Sequence, residues 1–192
     1  MPHDPTFAIV DSFPLPVCQF ARAYRCQRFR GEAAYGKDTL VRQTFYGFRV
    51  RVRLAWPGVI SRLCIAPANA HDLEALPGLA EGTQGTVVID RKYWSPKTTA
   101  EWQSLGVEML APYRSAKRDP HPRWSRQLSR VRYRIDTVIG QLVERCTVKR
   151  AWAGDLWHLG SRLLRKVLLH TLAVLLNVDL GNPPLHLAQL IA

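Results

Sequence analysis

Two aspartates stand where a carboxylate can do chemistry. Asp11 follows the run Phe-Ala-Ile-Val over residues 7–10, and Asp90 follows Thr-Val-Val-Ile over residues 86–89. A short apolar run bounded by a polar residue reads as a buried strand, and open α/β sheets gather reactive groups beyond the carboxyl ends of their strands. Parallel neighbours would bring the two carboxylates together, where their mutual repulsion asks for a divalent cation. Mg²⁺ suits such a site, with Mn²⁺ as a substitute, because it binds through a few carboxylates plus substrate phosphate. A pair of such ions ~3.5–4 Å apart can activate a nucleophile and stabilise the leaving oxygen of a phosphodiester. Taken singly, each aspartate also reads as a turn or helix-cap residue. The repetition of one arrangement in a basic chain is what raises the metal-binding alternative.

A third acid is expected from a helix. Asp136, within Arg-Tyr-Arg-Ile-Asp over residues 132–136, lies off the apolar stripe and four residues after Arg132. Two readings stand for it: a third metal ligand, or an intrahelical Arg–Asp pair that contributes only a few tenths of a kcal/mol.

The charge balance narrows the partner. Lys and Arg number 27 against 15 acids, a net +12 over 192 residues. That excess favours a polyanion, with nucleic acid ahead of an anionic membrane surface. It is concentrated between Tyr113 and Arg134, where Arg114, Lys117, Arg118, Arg123, Arg126, Arg130, Arg132 and Arg134 face a single acid, Asp119. This stretch is expected to track DNA phosphates toward Asp136, with Tyr113 and Trp124 able to stack on bases; a solvated loop and helix face is the alternative. The four cysteines show no zinc-finger spacing and read as reduced thiols. No signal peptide and no apolar run of about 20 residues is evident, so a soluble, cytoplasmic protein is expected.

The elements that must position these groups follow from periodicity. Phe48, Val50, Val52 and Leu54 alternate with Arg49, Arg51 and Arg53, which predicts a half-buried strand with one cationic face. Pro57-Gly58 predicts a tight turn, and residues 59–66 return as the hairpin's second strand. The stretch 22–42 reads as an irregular excursion, and 71–80 as a short helix broken near Pro77. Ser95 and Pro96 predict a helix start and Gly106 its end. Residues 107–111 make another short strand. Leu128, Val131, Ile135, Val138 and Leu142 predict a long amphipathic helix, and residues 157–178 a second, largely apolar and well buried. The Leu-rich face of that last helix reads as core or as a homo-oligomer contact. Trp152 and Trp157 read as core anchors, and His71 as a phosphate-orienting group or a structural histidine. The whole is a mixed α/β sheet flanked by helices, with a C-terminal pair of long ones.

The segments VIDSFPLPVC, FRGEAAYG, TFYGFRVRV, APANAHDLEALP, VIDRKYWSP, LAPYRSAKRDP and RIDTVIGQL together resemble DDE-type transposases of bacterial insertion sequences, in order from about residue 8 to residue 178. The resemblance implies an RNase H-like catalytic domain over residues 1–150, with 151–192 as a helical extension packed on it. It implies Mg²⁺-dependent hydrolysis of double-stranded DNA at transposon ends and strand transfer into target DNA, by a nucleoid-associated protein. By the same resemblance Asp11 and Asp90 match the first two catalytic carboxylates, Tyr93 the tyrosine that follows the second, and Asp136 the position of the catalytic glutamate. Arg132 matches the signature arginine, and Asn69, His71 and Asp72 match an element between the first two acids. The chain departs from that pattern in three ways. Asp136 is shorter than glutamate by one methylene, about 1.5 Å; Ser129 and Val143 stand where a tyrosine and a lysine are expected; and no N-terminal end-recognition domain precedes Asp11. A truncated, catalytically inactive DNA-binding remnant is therefore the alternative expectation.

Overall fold

In a computed structural model of the chain, residues 4–39, 41–71, 76–93, 95–113, 116–150 and 152–190 are described. Six strands form one sheet: β1 (Asp4–Gln19), β2 (Ala34–Asp38), β3 (Gln43–Trp56), β4 (Val59–Pro67), β5 (Gly85–Ile89) and β6 (Val107–Leu110). Five helices accompany them: α1 (Phe20–Ala23), α2 (Leu76–Ala80), α3 (Pro96–Ser104), α4 (Pro122–Glu144) and α5 (Leu156–Asp179). β4, β3 and β1 are antiparallel neighbours, whereas β5 runs parallel to β1 and β6 parallel to β5. β2 joins β3 on the edge that β4 also uses, further along the strand. This is an RNase H-like mixed sheet.

The two faces of the sheet are separate cores, and strand alternation decides which residue goes to which. Ile9, Phe13, Val50, Val52, Leu54 and Val88 point toward α4 and α5, where Leu128, Ile135, Val138, Leu142, Leu163 and Val167 cover them. Ala8, Val10, Val87 and Ile89 point the other way, onto Trp102, Tyr93 and Met109. Burial of this order, at about 25 cal/mol per Å² of apolar surface, is what fixes register, since a one-residue slip would exchange the faces. Gly85 seats β5 against β1: its φ is +82°, and a Cβ there would lie 2.4 Å from the Thr6 carbonyl oxygen.

Several expectations need correcting. β1 does not stop at Val10 but continues to Gln19 as the partner of β3. Only its pairing with β5 stops there, and beyond it Pro14 and Pro16 lack the N–H groups that a further neighbour would require. The stretch 22–42 contains the edge strand β2. The face expected to be cationic on β3 is buried rather than exposed: Arg51 is fully buried and Arg53 nearly so. The chain after β4 folds over them and supplies carbonyls, Ala70 O for Arg51 at 2.7 Å, and Leu79 O and Glu81 O for Arg53 at 2.8 and 3.1 Å. Helix α5 buries Leu159, Leu163 and Val167 but exposes leucines on its opposite side, so it is half covered rather than well buried. Trp152 and Trp157 are exposed and are not core anchors, because both precede the turn at which α5 settles onto the sheet.

Candidate active site

The point where β1 and β5 part company is where the two strand-end aspartates meet. The last parallel pair is Val10 with Ile89, so Asp11 and Asp90 are the next residue of each chain. Asp11 lies two residues beyond Ile9, and Asp90 two beyond Val88, which gives both the face that looks toward α4. After Asp90 a single 3-10 turn, Arg91–Tyr93, begins with the Tyr93 N–H donating to the Asp90 carbonyl at 2.9 Å. That turn carries β5 away from β1 and opens the site.

α4 supplies the charge that faces them. The Arg132 guanidinium lies between the two carboxylates, with Nη1 2.7 Å from Asp90 Oδ1 and Nη2 3.9 Å from Asp11 Oδ2. Lys92 Nζ approaches Asp11 Oδ1 at 3.8 Å, and the Ser12 N–H donates to the same oxygen at 2.7 Å. Burial nevertheless holds the Asp11 carboxyl above the ordinary carboxylate range, against the pull of Lys92, Ser12 and Arg132, and the neighbouring Asp90 adds to the rise. Asp136 sits one turn beyond Arg132 on α4, exposed at the rim of the site. Its carboxyl is also raised, by desolvation first and by Asp90 last, with Arg132 opposing. Arg132 and Asp90 therefore act on both Asp11 and Asp136. Arg132 pairs across to the strands and not along α4 with Asp136, so the intrahelical pair weighed from the sequence is not what forms.

Asp11 and Asp90 fit a hard divalent cation, because one positive group already bridges them. Mg²⁺ characteristically takes one or two carboxylates and completes its shell with water and phosphate. Among the described residues no three His, Cys, Asp or Glu side chains converge as a ready-made metal group, so Asp136 stands apart from the pair in this conformation.

The residues expected to touch DNA are unevenly placed. Lys117, Arg118, Arg123, Arg126 and Arg130 are exposed, and the last three follow one another at three- and four-residue spacing along α4. Arg114 and Asp72 lie outside the described residues. His71 is exposed just beyond the loop that follows β4. Tyr93 is fully buried under the sheet and presents no surface to a strand of DNA. Arg134 belongs to the fold: it stacks 4.0 Å over the Trp56 ring and donates to the Pro57 carbonyl at 2.5 Å. Lys92 is the residue the sequence reading missed; its signal was its place two residues after Asp90, in a turn that has to face Asp11. All four cysteines are free thiols, and no helix among the described residues is long and apolar enough to cross a membrane.

No curated protein matches the chain. A family model described as a transposase DDE domain matches residues 3–152, a span that includes both strand-end aspartates, Arg132 and Asp136 and covers well over half of the 192 residues. The chain belongs to the transposase DDE domain family.

Proposed function

We propose that this chain is the catalytic part of a DNA transposase that hydrolyses a phosphodiester at each transposon end and then transfers the freed end into target DNA. The observation that carries the proposal is the convergence of Asp11 and Asp90, at the ends of adjacent parallel strands, on a single guanidinium. Asp11 and Asp90 are the residues that would hold Mg²⁺ or Mn²⁺, with Asp136 closing in from α4 once DNA is bound. The ion, when bound, supplies positive charge that offsets the negative charge developing on the phosphate oxygens. In the first displacement, water forms a bond to phosphorus and the 3′-oxygen leaves, taking up the proton that water gives up. In the second, that 3′-hydroxyl forms the new bond to a target phosphorus and a target 3′-oxygen departs.

The chain's own groups have distinct tasks in this scheme. Arg132 holds the two carboxylates together before the cation arrives and is then free to meet a phosphate. Lys92 offsets the charge of Asp11 from the opposite side, and its Nζ lies 5.1 Å over the Tyr93 ring, which fixes where the ammonium sits. The exposed arginines of α4 hold the sugar-phosphate backbone in register.

A second reading, a DNA-binding remnant without catalysis, is favoured by Asp136, which is exposed and carries the shorter of the two acidic side chains. One experiment separates them: nicking of supercoiled plasmid by the wild type and by Asp90→Asn, with and without Mn²⁺ or Mg²⁺. Metal-dependent nicking that falls by 10²-fold or more in the variant is the expected outcome. Tight, salt-sensitive DNA binding with no nicking in either protein would favour the remnant.

A further inference from the structure

Residues 20–42 carry six cations, Arg22, Arg25, Arg28, Arg30, Lys37 and Arg42, against two acids, and neither the α4 track nor the strand-end aspartates use any of them. One of the acids, Asp38, is buried and 3.6 Å from Lys149, which leaves Glu32 as the exposed one. Three aromatic side chains stand out among these cations: Phe20 is 59% exposed, Tyr24 67% and Tyr35 48%. The fold places them together. Helix α1 turns Ala23 inward and so presents Phe20, Arg22 and Tyr24 to solvent. Phe20 meets Tyr35 of β2 edge to face at 5.8 Å, and Tyr35 meets Tyr46 of β3 at 5.4 Å. The Tyr46 hydroxyl donates to the Phe29 carbonyl at 3.0 Å, and the Phe29 ring packs on Phe48. That pins the loop after α1 while Arg28 and Arg30, on either side of Phe29, stay exposed.

This surface is not the catalytic one. Gln19, which leads into α1, comes eight residues after Asp11 along β1, roughly 25 Å away at the ordinary rise of a strand. Exposed ring faces interleaved with cations are what an unpaired polynucleotide requires, since the cations follow its phosphates and its bases stack on the rings. A duplex keeps its base faces stacked on one another and would engage only the cations. A bilayer would need an apolar helix face to bury, and α1 is a single turn of four residues. We infer that the surface formed by Phe20, Tyr24 and Tyr35 with Arg22, Arg25 and Arg30 binds single-stranded DNA. Tyr24 is its most exposed ring; the Arg25 guanidinium lies 5.0 Å over one face and leaves the other to a base. The choice of DNA over RNA rests on the function proposed above, whereas the stacking and the charge do not.

The test is fluorescence anisotropy of the whole chain, without metal, on a labelled oligothymidylate of about 20 nucleotides. Tyr24→Ala should weaken binding about 5- to 150-fold, the loss expected for one stacked base. Tyr24→Trp should bind at least as tightly as the wild type, because the larger ring keeps the platform. Neither variant should change the affinity for a blunt duplex or the melting temperature. Arg22→Gln combined with Arg25→Gln should reduce the slope of log K against log salt concentration by about 1.4. Asp90→Asn should bind the oligothymidylate as the wild type does, which keeps this result separate from any loss of nicking. An oligothymidylate affinity that Tyr24→Ala leaves unchanged, or that Tyr24→Trp loses equally, would overturn the inference. So would equal losses on duplex and single strand, a preference for oligouridylate, or Tyr24-dependent binding to phosphatidylglycerol vesicles in place of the oligonucleotide.

Discussion

At the scale of single residues, the site holds charge at some expense to the fold. Asp11 is buried, and its carboxyl is raised above the ordinary value of 3.8 chiefly by that burial. The sign follows from linkage. Below 3.8 the group is neutral in both the folded and the unfolded chain and contributes nothing. As pH rises through 3.8 toward the higher folded value, the unfolded chain ionises first, so the native state loses stability relative to it, and the loss is complete above the folded value. Asp11→Asn, which mimics the neutral acid, should therefore melt at higher temperature than the wild type at pH 7, and this advantage should vanish near pH 3.5. The same substitution should abolish any stabilisation by Mg²⁺, which for the wild type is ~1.4 kcal/mol at tenfold excess over its Kd. Arg132→Ala should act in the opposite sense, lowering stability on the order of 1–2 kcal/mol, because it takes away the guanidinium that lies between Asp11 and Asp90. Thermal melts at two pH values, with and without metal, check all of these. A wild type that outlasts Asp11→Asn at pH 7 would show that the carboxylate is net stabilising.

At the scale of elements, what could be read in advance was whatever leaves a periodic trace. Ser95 does accept from the Thr98 N–H at 3.1 Å, Pro96 does open α3, and Gly106 follows its end with φ +76°. The two apolar quartets and the stripe of α4 were legible for the same reason, since each side chain's chemistry agrees with the side it must face. Arg51 and Arg53 were not, because alternation of Arg with Val means an exposed face unless something supplies carbonyls, and the supplier lies some 20 residues further along the chain. Nor could periodicity divide the apolar residues of α5 between inner and outer sides. His170 marks the inner one. It is buried, and Gln141 of α4, whose amide donates to the Leu185 carbonyl at 2.6 Å, presents its oxygen to His170 Nε2 at 2.9 Å. The ring is therefore the Nε2–H tautomer, with Nδ1 the bare nitrogen and without a partner among the described residues. Burial lowers the His170 pKa to about 4 from 6.5. As pH falls through 6.5 the unfolded chain gains a proton that the native state refuses, so stability should drop between pH 6.5 and about 4 with a limiting slope of ~1.4 kcal/mol per pH unit. His170→Gln should flatten this part of the stability profile, measured by urea titration across that range. An unchanged slope would assign the acid sensitivity to other groups.

At the scale of the whole molecule, a net charge of +12 bears on where the proposed DNA contact would lie only once the buried cations are set aside. Arg51 and Arg53 are enclosed by backbone carbonyls, and Arg134 is held by Trp56 and Pro57. The cations left to release counterions from duplex DNA include Arg123, Arg126 and Arg130, exposed and aligned on the outside of α4. Each phosphate contact contributes ~0.9 to the slope of log K against log salt concentration. Replacing Arg123, Arg126 and Arg130 together by Gln should thus reduce that slope by about 2 to 3 and weaken binding 10- to 100-fold at moderate salt, with little change in melting temperature. Arg134→Gln should do the reverse: it should leave the slope alone and lower the melting temperature, because its guanidinium is spoken for by the fold. Fluorescence anisotropy with a duplex at several salt concentrations, run beside thermal melts of the same proteins, reads both quantities. If the triple variant kept the wild-type slope, the track along α4 would not be where the backbone lies. The two aspartates would then have to receive DNA from another side of the sheet.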